Sequence, residues 1–309
     1  MSSVVPQFGK ESDQGGRFVR QASRFRDRVE RRPEPGRYHL YVSLACPWAS
    51  RALLVRKLKH LEEVLPMTIV DPIRDERGWR FDPERPDPVN GFTFLREAYE
   101  ATEPGFDDRV TVPVLWDTRE RRIVNNESAD IIRMLNAWSD EGPDLYPADL
   151  RPAIDELNER IYETVNNGVY RAGFASSQAA YEEAFDELFE TLDWLDERLA
   201  TRRFLLGDEI TEADWRLFMT LVRFDAVYVG HFKCNRQRID DYAHLSGYLR
   251  DLFQQPGVAD TVDFDHIKRH YYGTHPQLNP SRIVPKGPAL DLWRAHDRER
   301  LATLGRDAA

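Results

Sequence analysis

Residues 37–61 constrain the fold more tightly than any other stretch of the chain. Residues 37–44, Arg-Tyr-His-Leu-Tyr-Val-Ser-Leu, are rich in β-branched and aromatic side chains and read as a strand. The strand stops at Cys46. Pro47 then opens a helix running to about Leu61, because its ring already holds a helical φ and its missing N–H goes unneeded at a first helical position. The result is strand, tight turn and helix, with a sulfur at the junction. Unpaired N–H groups and the positive end of the helix dipole meet there and favour a thiolate.

The surrounding sequence extends this unit. Strands are expected at residues 65–70, 111–116 and 122–124, and a helix at 128–138. Between them, residues 71–108 are dense in Pro, Gly and charge but carry Trp79, Phe81, Phe92 and Phe94, a long irregular loop of the kind that is usually functional. The order β-α-β, loop, β-β-α predicts a thioredoxin-like α/β N-terminal domain over 37–140. Residues 139–152 hold Gly142, Pro143, Pro147 and Pro152 without apolar periodicity and mark a boundary. Beyond it, residues 154–165, 178–199, 212–227 and 245–253 space apolar residues three and four apart, so an all-α C-terminal domain is expected over 151–273. A length of 309 residues suits two domains. Thr211 and Asp214 read as a helix start. Residues 274–309 read as an extended tail and residues 1–36 as an arm. The arm's arginines are interrupted by Asp27, Glu30 and Glu34, unlike a transit peptide.

The position of a second thiol in a two-cysteine redox motif is taken by Ala49, so Cys46 is expected to react through a mixed disulfide with a small external thiol. A thiol peptide needs an extended edge and anion-binding N–H groups. Val112-Pro113 offers the first, provided that a cis proline exposes the backbone of Val112. Glu127-Ser128, at the start of a helix, offers the second, although such a pair is also an ordinary cap. Cys234 reads as a packed core residue. His266 and His270 share a helical face but lack a third ligand in pattern, so no metal is expected. A formal charge of -10 argues against nucleic-acid and anionic-membrane binding. Two distant cysteines point to a reducing, cytoplasmic compartment.

The chain resembles the glutathionyl-hydroquinone reductases, or Xi-class glutathione transferases, over nearly its whole length. The residues that carry the resemblance are Phe18, Phe25 and Arg26 in the arm, Cys46-Pro47-Trp48-Ala49, Gly78-Trp79, Thr111-Val112-Pro113-Val114-Leu115 and Asn125-Asn126-Glu127-Ser128. In the helical part they are Asn166-Asn167-Gly168-Val169-Tyr170, Leu221-Val222-Arg223-Phe224-Asp225, Val227-Tyr228, His231-Phe232-Lys233-Cys234 and His270-Tyr271-Tyr272. The resemblance implies the glutathione transferase fold and removal of the glutathionyl group from aromatic quinol thioethers. It makes Cys46 the nucleophile, with Tyr170 and Tyr271 also at the chemistry. Trp79, Val112, Pro113, Glu127 and Ser128 would hold glutathione, and Trp48, Tyr170, Tyr228 and Tyr271 would line the quinol site. A homodimer is expected on the same ground. Two alternatives stay open: a broader thiol transferase acting on disulfides or dehydroascorbate, and a non-catalytic scaffold, which would have no need of Cys46 or Trp48. Arg greatly outnumbers Lys on an acidic chain, a composition of halophiles and GC-rich genomes, so γ-glutamyl-cysteine stands beside glutathione as the thiol.

Overall fold

In the computed structural model, which describes residues 12–304, the predicted strand is β1 (Tyr38–Val42) and lies inside a four-stranded sheet of order β2-β1-β3-β4. β2 (Met67–Ile69) runs parallel to β1, whereas β3 (Val114–Asp117) and β4 (Arg122–Asn125) complete an antiparallel edge. A parallel neighbour requires a crossover, and α1 (Pro47–Leu58) supplies it. α1 is buried almost all round and packs against α3 (Ser128–Ala137). Residues 1–11 of the predicted arm and 305–309 of the predicted tail lie outside the described residues.

The chain divides into two compact units, broken between Pro143 and Asp144. The first holds residues 20–143 and 261–284, and the second holds 12–19, 144–260 and 285–304. Two segments therefore group otherwise than periodicity suggested. α10 (Phe264–Thr274) belongs with the sheet, and the predicted arm is divided between the units. The reason is visible in the contacts. α10 is tied to the segments on either side of the sheet's first crossover through His266 and His270. The segment after Arg20 adds a bridge at Arg26↔Asn125 and is held there by an Arg26–Asp130 ion pair of 2.7 Å.

The irregular stretch 71–108 contains a helix that the sequence reading missed, α2 (Arg96–Thr102), packed on β4. It carries Tyr99, which is buried and donates 2.8 Å to the Thr111 carbonyl while taking the Thr111 N–H at 3.2 Å. With the backbone of Thr111 engaged in this way, and with Pro113 lacking an N–H, the expected strand begins only at Val114.

The second unit is helical. α4 (Arg151–Ile161) runs into a π-helical turn (Tyr162–Asn166), then come α5 (Gly168–Gly173) and α6 (Gln178–Leu199). α7 (Glu212–Arg223), buried at every position, passes into a second π-helical turn (Phe224–Tyr228) and the short α8 (Val229–His231). α9 (Leu245–Phe253) follows, and α11 (Glu299–Leu304) is a helix in what the sequence suggested was wholly extended. Periodicity read α4 and α7 as running on through the wide turns, because one extra residue per turn barely disturbs apolar spacing. At the α7 start, Asp214 accepts from the Thr211 amide at 2.8 Å, the Leu205 amide at 2.9 Å and the Tyr248 hydroxyl at 2.8 Å. This one buried carboxylate fixes a helix end, a loop and α9.

Candidate active site

Cys46 is the N-cap of α1, with extended backbone (φ -76°, ψ 118°), and its carbonyl accepts the first helical bond from Ser50 at 2.9 Å. No acidic residue stands in the first turn of the helix, so nothing there opposes a thiolate. The Cys46 Sγ points at the Val112 carbonyl oxygen, 3.6 Å away. The turn before it is closed by the Cys46 amide donating to Ser43 O at 3.2 Å, and the Ser43 hydroxyl stands 3.4 Å from His266 Nε2. Val112-Pro113 is cis.

Val112 and Glu127, distant in sequence, are tied together by one buried network. Asn126 donates to the Tyr99 hydroxyl at 3.2 Å and to the Thr111 hydroxyl at 3.3 Å, while its oxygen accepts the Phe25 amide at 3.0 Å. The residues just before Val112 and just before Glu127 are thus held by the same three side chains. Burial pushes the Tyr99 phenol up, which keeps it neutral and able to donate. Glu127 does cap α3, accepting the Ala129 amide at 3.0 Å, and its second oxygen takes the Ser23 hydroxyl at 2.9 Å. Ser128 is buried and accepts from Arg51 at 3.4 Å.

Two residues near this edge were missed. Arg51 lies with its guanidinium 4.5 Å over the Trp48 ring, and the i, i+3 spacing of Trp48 and Arg51 on one helix was the available signal. Ser23 had no signal, since it reaches Glu127 from a segment 104 residues away.

Trp79, buried, sits at the end of a loop closed by Asp71 N to Arg80 O at 2.8 Å and Leu95 N to Trp79 O at 2.9 Å. Gly78 has φ +97°, which permits the tight turn just before it. The Trp79 ring stacks on His270 at 4.9 Å, and His270 meets Tyr271 edge-on at 5.3 Å. Cys46, Trp48, Trp79, Val112, Pro113, Glu127, Ser128 and Tyr271 therefore all belong to the first unit.

Tyr170 and Tyr228 belong to the second unit, where their rings are 6.2 Å apart. Phe232 joins them, stacked on Tyr228 at 5.4 Å and edge-on to Tyr170 at 5.4 Å. Phe18 packs on the same group at 6.4 Å from Tyr170. Tyr228 closes the π-helical turn after α7, a feature often found where a side chain must be aimed. Cys234 is fully buried, its Sγ 3.8 Å from the Phe232 carbonyl, and burial pushes its thiol up. Such a sulfur is inert. Among the described residues no cluster of metal-ligating side chains occurs, and no helix is long and apolar enough to cross a membrane.

Two family models match the chain: the glutathione S-transferase N-terminal domain over residues 45–138 and the C-terminal domain over residues 178–251. The chain is 54% identical to glutathionyl-hydroquinone reductase PcpF of Sphingobium chlorophenolicum, covering 90% of this chain and 92% of that protein. It is 50% identical to glutathionyl-hydroquinone reductase YqjG of Escherichia coli, covering 92% and 93%. The glutathione-bound structure of YqjG superposes with a TM-score of 0.84 at 51% identity over 86% of this chain and 89% of that one. A Xi-class glutathione transferase from Natrialba magadii gives a TM-score of 0.85 at 49% identity over 93% and 86%.

Proposed function

The chain belongs to the Xi-class glutathione transferases, the glutathionyl-hydroquinone reductases, and from that premise we propose that it strips the glutathionyl group from glutathionyl-hydroquinones through Cys46. The Cys46 thiolate attacks the sulfur of the aromatic thioether. The ring carbon–sulfur bond breaks, a proton goes to the ring carbon, and hydroquinone leaves while Cys46 keeps the glutathionyl group as a mixed disulfide. A second glutathione thiolate attacks the glutathionyl sulfur, releasing glutathione disulfide and regenerating the Cys46 thiolate. The sum is one thioether and one thiol converted to hydroquinone and one disulfide. The observation that carries this reading is Cys46 at the N-cap of α1 with no neighbouring carboxylate in the first turn.

The remaining roles follow from the same chemistry. The backbone of Val112 beside Pro113 would pair with the cysteinyl portion of glutathione, and Glu127 and Ser128 at the α3 N-terminus would take the ammonium and carboxylate of its γ-glutamyl end. Trp79 would cover the peptide. Trp48 and the tyrosines 170, 228 and 271 would line the quinol site, with the phenols of Tyr170 and Tyr271 donating to the quinol oxygens or supplying the ring proton. We read the working form as a cytoplasmic homodimer.

The deciding measurement is anaerobic turnover of a glutathionyl-hydroquinone with added glutathione, following hydroquinone and glutathione disulfide together. Production of both in equal amounts supports the reading, and inactivity with glutathione and with γ-glutamyl-cysteine alike would overturn it. Running both thiols also decides between them, because the contacts assigned above touch only the portion they share.

A further inference from the structure

His270 is left without a role by the chemistry above, yet it is buried and held both by a hydrogen bond and by ring stacking. It is 7% exposed. Its Nδ1 lies 2.7 Å from the carbonyl oxygen of Pro72. A carbonyl only accepts, so Nδ1 carries the proton, which fixes the tautomer and the ring plane. That plane stacks on Trp79 at 4.9 Å with an interplanar angle of 21°. Pro72 and Trp79 stand near the two ends of the loop that Asp71 N and Arg80 O close, so one imidazole holds both ends of it. The same helix admits the loop one turn further on. A Cβ at Gly273 would stand 2.9 Å from Ile73 Cδ1, and its absence leaves room for that side chain.

We propose that His270 is a positioning residue for the thiol-binding half of the site, orienting the Trp79 ring and locking the 71–80 loop onto the helix that carries Tyr271. The inference rests on the reading of Trp79 as part of the glutathione-holding edge. It also accounts for the pairing of His266 and His270 at a spacing of four. His266 reaches the Ser43 hydroxyl, in the turn before Cys46, and His270 reaches Pro72, so the two imidazoles bind α10 to the segments on either side of the crossover.

The test is a double-mutant cycle between His270 and Trp79 in the full chain, read as the glutathione dissociation constant by calorimetry, with the kcat and KM of thioether reduction alongside. Loss of one hydrogen bond and one aromatic contact is expected to weaken glutathione binding roughly tenfold in His270→Ala, mostly in KM. Alkylation of Cys46 by iodoacetamide in the unliganded protein should stay within about twofold of the parent, since the nucleophile's own turn is untouched. Once Trp79 is alanine, removal of His270 should add little. His270→Asn, which keeps a donor for Pro72, should recover part of the loss, and it carries the same comparison if the alanine variant fails to fold. Additive effects, or a His270 variant that binds glutathione like the parent while Trp79→Ala does not, would refute the positioning role and leave the Trp79 reading standing. If Trp79→Ala itself binds normally, that reading falls and the proposal falls with it.

Discussion

The Sγ of Cys46 faces the carbonyl oxygen of Val112 across 3.6 Å, so the proposed nucleophile and the proposed thiol-binding edge meet at one point although 66 residues separate them in the chain. The Tyr99–Thr111–Asn126 network fixes the far side of that point and ties it to the α3 N-terminus. The places to which the proposed mechanism assigns nucleophile, extended edge and anion site are therefore parts of one framework, and substitutions in each should have separable effects.

Cys46→Ala is expected to abolish thioether reduction, a loss of roughly three orders of magnitude or more, because the proposed mechanism runs through its thiolate. Glutathione binding by calorimetry should persist within a few-fold. Residual turnover near the parent rate would remove Cys46 from the mechanism.

Glu127 caps α3, the proposed mechanism also gives it the γ-glutamyl ammonium, and two variants distinguish these roles. Glu127→Ala loses the cap on Ala129 and should cost about 1 kcal/mol of stability as well as glutathione affinity. Glu127→Gln keeps a side-chain oxygen for the cap and should hold the melting temperature while weakening glutathione binding. Equal affinity in Glu127→Gln and parent would leave Glu127 as a cap alone.

Gly173 bears on the tyrosines of the second unit. A Cβ there would stand 2.2 Å from the Phe232 ring, on which both Tyr170 and Tyr228 pack. Gly173→Ala should cost roughly 1–3 kcal/mol by overpacking and lower kcat for bulky quinol thioethers. The rate of Cys46 alkylation should not change. A parent-like melting curve would show that Phe232 moves aside freely.

Stability should fall as pH drops from about 7 towards 4, because burial pushes His39, His231 and His266 down to about 4 from an ordinary value of 6.5. Below 6.5 the unfolded chain takes up protons that the folded chain refuses, so the contribution is whole above that value and is lost as pH falls towards the folded value. For His39, whose Nε2 stands 2.8 Å from the Thr68 hydroxyl, this amounts to roughly 3 kcal/mol across the window. Melting temperatures at several pH values should show a shallower slope in His39→Gln than in the parent. An unchanged slope would mean that His39 titrates as an exposed histidine does.

Local rules carried much of this protein. Pro47 after a β-rich run, turn residues between apolar runs, and three- and four-residue spacing in α6 and α9 are short-range signals. They specified the strand-turn-helix around Cys46, most of the sheet and the helical second part from sequence alone, because backbone sterics and periodic burial act over a few residues. Glu127 at the start of α3 was legible for the same reason. What the local signals missed depends on partners far along the chain. α2 holds Tyr99 against Thr111, and Ser23 meets Glu127 from a segment with no pattern of its own. α10 groups with the sheet because His266 and His270 find Ser43 and Pro72, about two hundred residues earlier. The spacing of four places those two rings on one helical face, and only tertiary packing decided what they touch. Periodicity records which face of a helix is buried; it carries no information about what lies against that face.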